Sequence, residues 1–406
     1  MKKTLAAVAV LGAFAGSALA ADVQLYGIVD TGFQYLHTDA DASRAGYDAT
    51  DAFSMESGMQ SGSRFGFKGT EDLGNGLTVG FILEDGIKSD TGVDDDVMFN
   101  RESSLFIEGS FGKFAMGRLG SINGGVSSWG KYGMISAFGT SWGNYSAQAG
   151  TWAVGGGMWD NMIAYETPSF AGFKVFAQYG MGDNNNENES SSDRYYAIGA
   201  TYANGPLNLY FAVDSINYQT ADANGALANA SDIDDSLTVT LGGSYNFEVA
   251  KVYLGVQYFD EVKLNSLGGV TKDLIGSYDL NKAYNKYHET SYDALTVGNF
   301  LKVKGYGVSL TADAPVAGGK AMFGVGYVDA EAADSMTDMA KDAGYSADLD
   351  LKRYIVSVGY DYPFSKRTDV YAVASYSQDQ LELKGAYSGD WDPSTYSLYV
   401  GLRHKF

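Results

Sequence analysis

Few side chains in this 406-residue sequence are spaced for catalysis. Gly139-Thr140-Ser141-Trp142-Gly143 fits the G-x-S-x-G pattern of a nucleophile elbow, with Ser141 as the attacking group. That chemistry needs a strand-to-helix turn and an imidazole base within hydrogen-bond reach. Here the serine lies in a Gly-rich stretch, and the only histidines are His37, His288 and His404. A serine hydrolase is therefore an alternative that one pentapeptide supports, and no enzyme is expected. With no cysteine and three scattered histidines, neither a thiol nucleophile nor a transition-metal site has its ligands. Phosphate-cradling and dinucleotide motifs are absent from the sequence, so no cofactor is expected. A formal charge of -21 argues against nucleic acid as a partner, because phosphate binding needs a basic face.

What remains is chemistry by electric field. Arg64 and Lys68 fall on the polar face of an alternating segment, with Phe65 and Phe67 on the other. Glu84, Glu108 and Asp214 are candidate carboxylates for the same kind of polar wall. Such groups act together only if a scaffold lines them up.

The scaffold is legible as period-two alternation in segments of about ten residues. Leu207, Leu209, Phe211 and Val213 oppose Asn208, Tyr210, Ala212 and Asp214; Leu237, Val239 and Leu241 oppose Thr238, Thr240 and Gly242. Leu77 to Glu84 and Tyr396 to Lys405 repeat the pattern. Sixteen such segments begin near residues 23, 63, 77, 100, 113, 161, 173, 193, 207, 236, 251, 301, 320, 351, 369 and 394. Their connections alternate between short and long, and four of the five prolines (Pro168, Pro206, Pro315, Pro363) sit in short ones. There a missing backbone donor costs no ladder hydrogen bond. A soluble sandwich also alternates, but its loops of either length can occur at both ends. An even strand number with tight turns at one end and long loops at the other matches a closed transmembrane barrel, which leaves no unpaired edge in hydrocarbon. Sixteen strands enclose a water-filled lumen.

Residues 1–20 read as a secretory signal peptide: Lys2 and Lys3, an apolar run from Leu5 to Ala15, and a small-x-small site ending at Ala20. Residues 21–406 then form the barrel, and losing the two lysines takes the charge to -23. The long connections at 37–61, 88–98, 182–193, 219–236, 329–350 and 379–393 hold 28 acids and four bases. This acidic outer rim suits solvation, or divalent cations shared with anionic surface glycolipid. The connection from Gly120 to Trp159 is different: its single charge is Lys131, and it carries Trp129, Trp142, Trp152 and Trp159. A long apolar loop exposed to water would invite association, so this one is expected to fold inward and narrow the channel over residues 120–160. Its tryptophans, Trp142 among them, would then either bury area or offer stacking faces to solutes such as sugars.

SRFGFKGTEDLGNGL (63–77), FIEGSFGKFAMGRLGS (106–121) and VGLRHKF (400–406), behind DVQLYGIVD (22–30), resemble the Gram-negative general porins, above all the trimeric proteobacterial ones. The resemblance implies an all-β, sixteen-stranded antiparallel transmembrane barrel of the bacterial outer membrane whose third external loop enters the pore. It also implies a homotrimer and passive diffusion of ions and small hydrophilic solutes. Phe406 resembles the family's terminal signal for the barrel-assembly machinery. In the family, bases on the wall face acids of the inserted loop; Arg64 and Arg118 match two wall positions. For Arg118 alternation is ambiguous, since Phe114 and Met116 share its parity, but a lipid-facing arginine costs about 2 to 4 kcal/mol at the midplane, which argues for the lumen. The inserted loop departs from the family by having no acid before Asp160.

Overall fold

The computed structural model describes residues 23–39, 49–93, 97–139, 150–153, 157–182, 193–218, 234–267, 302–342, 347–385 and 389–406. The proposed signal peptide lies outside them. Eighteen strand segments form one antiparallel sheet. The first six are β1 (Gln24–Asp39), β2 (Thr50–Ser57), β3 (Arg64–Gly74), β4 (Leu77–Gly86), β5 (Glu102–Gly109) and β6 (Gly112–Gly120). Next come β7 (Met158–Glu166), β8 (Phe173–Gly180), β9 (Arg194–Asn204), β10 (Leu207–Asn217), β11 (Leu237–Asn246) and β12 (Lys251–Lys263). The last are β13 (Lys302–Val316), β14 (Gly319–Ala332), β15 (Ala347–Pro363), β16 (Thr368–Gly385), β17 (Gly389–Trp391) and β18 (Ser394–Lys405). A helix, α1 (Asp334–Asp342), follows β14, and no described helix is long and apolar enough to cross a membrane.

Eighteen segments make sixteen staves. β2 pairs with the upper half of β1 and β3 with its lower half, so together they are one stave broken at residues 58–63. β17 and β18 likewise both pair with β16. β1 then closes on β18 from Ile28↔Lys405 to Asp39↔Ser394, so the sheet is a cylinder. Each of the sixteen segments read from alternation has its stave. β2, however, lies inside the acidic connection at 37–61, and β15 and β16 run beyond their alternating segments into the acidic connections.

Short turns close by backbone chemistry. Gly74 pairs with Leu77 across Asn75 and Gly76, both at positive φ (54° and 75°), the conformation that matches strand twist in a two-residue hairpin.

The two faces separate as alternation requires. Leu209, Phe211, Leu241, Leu398 and Val400 are exposed on the outside, while Tyr210, Ala212, Thr238 and Thr240 are buried on the inside. Aromatic belts bound the outer apolar band. Tyr306, Tyr327 and Tyr354 neighbour one another at 6.1 and 5.2 Å near one rim, whereas Tyr360, Tyr362 and Phe364 lie near the short turns. At about 3.3 Å per residue, the stretch from Tyr354 to Tyr362 is roughly 26 Å long, which a strand tilt of about 40° shortens to roughly 20 Å along the barrel axis, so the two belts flank most of an apolar band of about 25 Å.

Candidate channel lumen and constriction

The described residues of the connection between β6 and β7 contact buried residues of staves from β8 to β16. Its outgoing leg is tied by Gln178, whose Oε1 accepts from Ile122 N at 2.7 Å, and by Tyr210, whose hydroxyl donates to Asn123 Oδ1 at 2.5 Å. Asp214 accepts from Asn123 Nδ2 and Thr238 Oγ1. Further along, Ala137 N donates to Thr311 Oγ1 at 2.9 Å, and Phe138 is fully buried in a cluster that also holds Met59, Met322, Tyr371 and Tyr399. On the return leg, Ala153 N donates to Gln257 Oε1 at 2.8 Å, and Gly150 O accepts from Arg353 at 3.0 Å.

A second inward feature is the break in the second stave. Gly58 has φ +73°, which ends the β2 ladder, and the buried Asp30 carboxylate captures the chain as it turns. Asp30 Oδ2 accepts from Gln60 N at 3.0 Å and Ser61 N at 2.7 Å, while Oδ1 accepts from the Tyr371 hydroxyl at 2.5 Å. Three guanidinium groups converge on this segment. Arg64 donates to Gly62 O and Arg403 to Ser61 Oγ, both at 2.8 Å, and a methyl group on Gly62 would fall 2.9 Å from Arg101 Nη1. Glu84 sits between Arg64 (3.4 Å) and Arg101 (2.8 Å); Arg403 also meets Asp369 at 2.9 Å. Arg101 and Arg403 escape a sequence reading because one precedes its strand and the other is in a terminal motif dominated by Phe406. Their signal is parity: Arg403 opposes Asp30, on the face of Tyr399.

The other sequence candidates disperse. Lys68 opposes Gln24 on the inward face and lies over the Tyr26 ring at 5.1 Å. Glu108 is exposed near the short-turn end, opposite Lys113. Lys131 lies over the Phe176 ring at 5.0 Å, and burial pushes its ammonium below the usual lysine value, with Glu166 opposing that shift. Asp214 is no open wall carboxylate, because it is consumed in holding Asn123 of the inserted loop.

Arg118 is a correction. It opposes Ser103, on the face of Leu105 and Met116, and so points outward. The penalty expected for an outward arginine is offset locally: Asn161 at φ 51° shifts the β6–β7 register, bringing Asp160 to 2.5 Å from Arg118 Nη1, and Asn100 O accepts from Nε at 2.6 Å.

Trp129 and Trp152 are buried against the wall, and Trp159 stacks on Tyr195 at 5.2 Å, so the first two turn no face to a solute. Trp142 and Ser141 lie outside the described residues. His37 bonds Asp51, and His404 bonds Thr368, both exposed. Phe406 exchanges two backbone hydrogen bonds with Gly27, at 3.1 and 3.2 Å, across the closing seam.

A closed antiparallel cylinder with a greasy outside and a polar inside has the architecture of a transmembrane channel. A profile of the Gram-negative porins matches residues 6–380. Over their full lengths, the chain is 32% identical to an outer membrane porin protein of Bordetella pertussis and 31% identical to outer membrane porin protein 32 of Delftia acidovorans. Its fold superposes on an anion-selective porin from Comamonas acidovorans with a TM-score of 0.59 at 23% identity, covering 95% of this chain and all of the other. The chain belongs to the Gram-negative porin family, and it is a porin of the bacterial outer membrane.

Proposed function

We propose that ions and small hydrophilic solutes pass the constriction under a mild preference for anions. The carrying observation is the charge of the two inward features. The inserted loop brings a lysine and no carboxylate, and the stave break gathers Arg64, Arg101 and Arg403. The acids among them, such as Asp30 and Glu102, are more deeply buried and spend their lone pairs on Gln60, Ser61, Ser104 and Ser128. Lys68 and Lys131 add to the basic side, while Glu84, Glu108 and the Asp361 and Asp369 carboxylates beside Arg403 moderate it. The name of the anion-selective Comamonas porin agrees in sign.

In this reading residues 1–20 are removed on export, Phe406 is read by the barrel-assembly machinery, and three barrels associate as a homotrimer. The acidic rim meets glycolipid through divalent cations. Planar-bilayer recordings of the purified protein in a KCl gradient test the proposal: a chloride-to-potassium permeability ratio above unity supports it, and a ratio below unity would refute it.

A further inference from the structure

The inserted loop carries almost no charge, so something other than ion pairs must seat it. On the inward wall, glycines stand where the loop's bulky groups arrive. A Cβ on Gly199 of β9 would lie 2.6 Å from Ile122 Cδ1, and one on Gly242 of β11 would lie 2.7 Å from Ile135 Cγ2. Trp152 fills the next notch, 2.6 Å from where Gly255 of β12 would carry its Cβ. On β13 the carbonyl of Thr151 comes within 2.0 Å of the corresponding position of Gly307, closer than any side chain allows. The Phe138 ring spans two staves, 2.9 Å from the Cβ position of Gly324 on β14 and 3.3 Å from that of Gly359 on β15.

These contacts come from both legs of the loop and run over neighbouring staves. Each pairs a large apolar group or a backbone carbonyl with the absence of a side chain. Close packing of this kind has discrete seats, because shifting one key forces all the others against wall atoms. We infer that apolar keys in glycine notches set the position of the constricting loop, with Phe138 as the main positioning residue, and that the loop stays seated while the channel conducts. The inference rests on the reading of the lumen as the conduction path.

Single-channel recording tests it with two variants. Phe138→Ala should insert and conduct with rapid flicker in place of steady steps, since its notch is vacated. The chain has no cysteine, so Ala137→Cys with Thr311→Cys adds one isolated pair on segments that the 2.9 Å hydrogen bond from Ala137 N to Thr311 Oγ1 holds together, and free-thiol titration reads when the disulfide has closed. Oxidised and reduced forms of this pair should conduct equally. Quiet, wild-type conductance in Phe138→Ala would overturn the inference, as would a conductance that changes when the disulfide closes. Should Phe138→Ala fail to assemble, the disulfide comparison decides alone. Absence of conductance steps from the unaltered protein would instead sink the conduction-path reading.

Discussion

Arg353 grips Asp379 with two nitrogens, Nε at 2.6 Å and Nη2 at 2.9 Å, inside a barrel where both side chains are almost wholly withdrawn from solvent. Its third nitrogen reaches Gly150 O at 3.0 Å, so the pair joins two neighbouring staves to the returning leg of the inserted loop. Removing one partner strands the other as a buried charge, which costs about 3 to 5 kcal/mol, whereas replacing both with apolar groups of similar volume is close to neutral. Arg353→Met should therefore lower the temperature at which the folded band disappears on unheated gels. Arg353→Met with Asp379→Leu should recover most of it. Equal losses in the single and double variants would contradict the pairing.

The arginines at the stave break make a different prediction, on permeation. Arg64 and Arg403 each contribute one guanidinium to the segment around Gly62, and both keep part of their surface open to the lumen. Arg403→Gln should lower the chloride-to-potassium permeability ratio, and adding Arg64→Gln should lower it further. The effect should shrink in concentrated salt, where the screening length falls to about 3 Å at 1 M. A ratio untouched by both changes would mean that the selectivity arises elsewhere.

Arg118 supplies the control. It faces outward beside Leu105 and Met116, paired with Asp160, so it has no view of the permeating ion. Arg118→Gln should leave the permeability ratio as it is while loosening the barrel, since Asp160 then faces outward unpaired. A shift in selectivity as large as that from Arg403→Gln would return this side chain to the lumen.

The contrast between these arginines shows where sequence reading reaches its limit. Strict alternation carries one stave's faces reliably, which is why Arg64 and Lys68 are legible as inward. For Arg118 parity with Phe114 and Met116 is kept, and what outweighs it in a sequence reading is the cost of an outward charge; nothing in GRLGS announces that Asn161, on another strand, will shift the register opposite and bring Asp160 to the guanidinium. β2 was hidden for a related reason. TDAFSMES has only Phe53 and Met55 as large apolar groups, too short an alternation to stand out from an acidic loop. Asp214 looks from sequence like an open wall acid because its partner Asn123 is 91 residues away. The glycine notches are invisible until the loop is laid over them.

The closing seam gives the last prediction. Phe406 and Gly27 exchange two backbone hydrogen bonds, and a Cβ on Gly27 would sit 2.3 Å from the Phe406 ring. These contacts join residues 379 positions apart in the chain, so closing the seam carries the highest loop-closure cost of any pairing in the barrel and belongs late in folding. Deleting Phe406 removes both hydrogen bonds, each worth about 1 kcal/mol, and the ring that covers Gly27. Gly27→Leu instead keeps the terminal residue and displaces its ring. Both variants should refold into detergent with a lower yield of the compact species and a slower approach to it, while Phe406→Tyr stays near wild type. Refolding followed by band shift on unheated gels reads this directly. If Gly27→Leu folded at the wild-type rate while deletion of Phe406 did not, ring packing at the seam would be excluded as the cause, leaving only the lost backbone bonds.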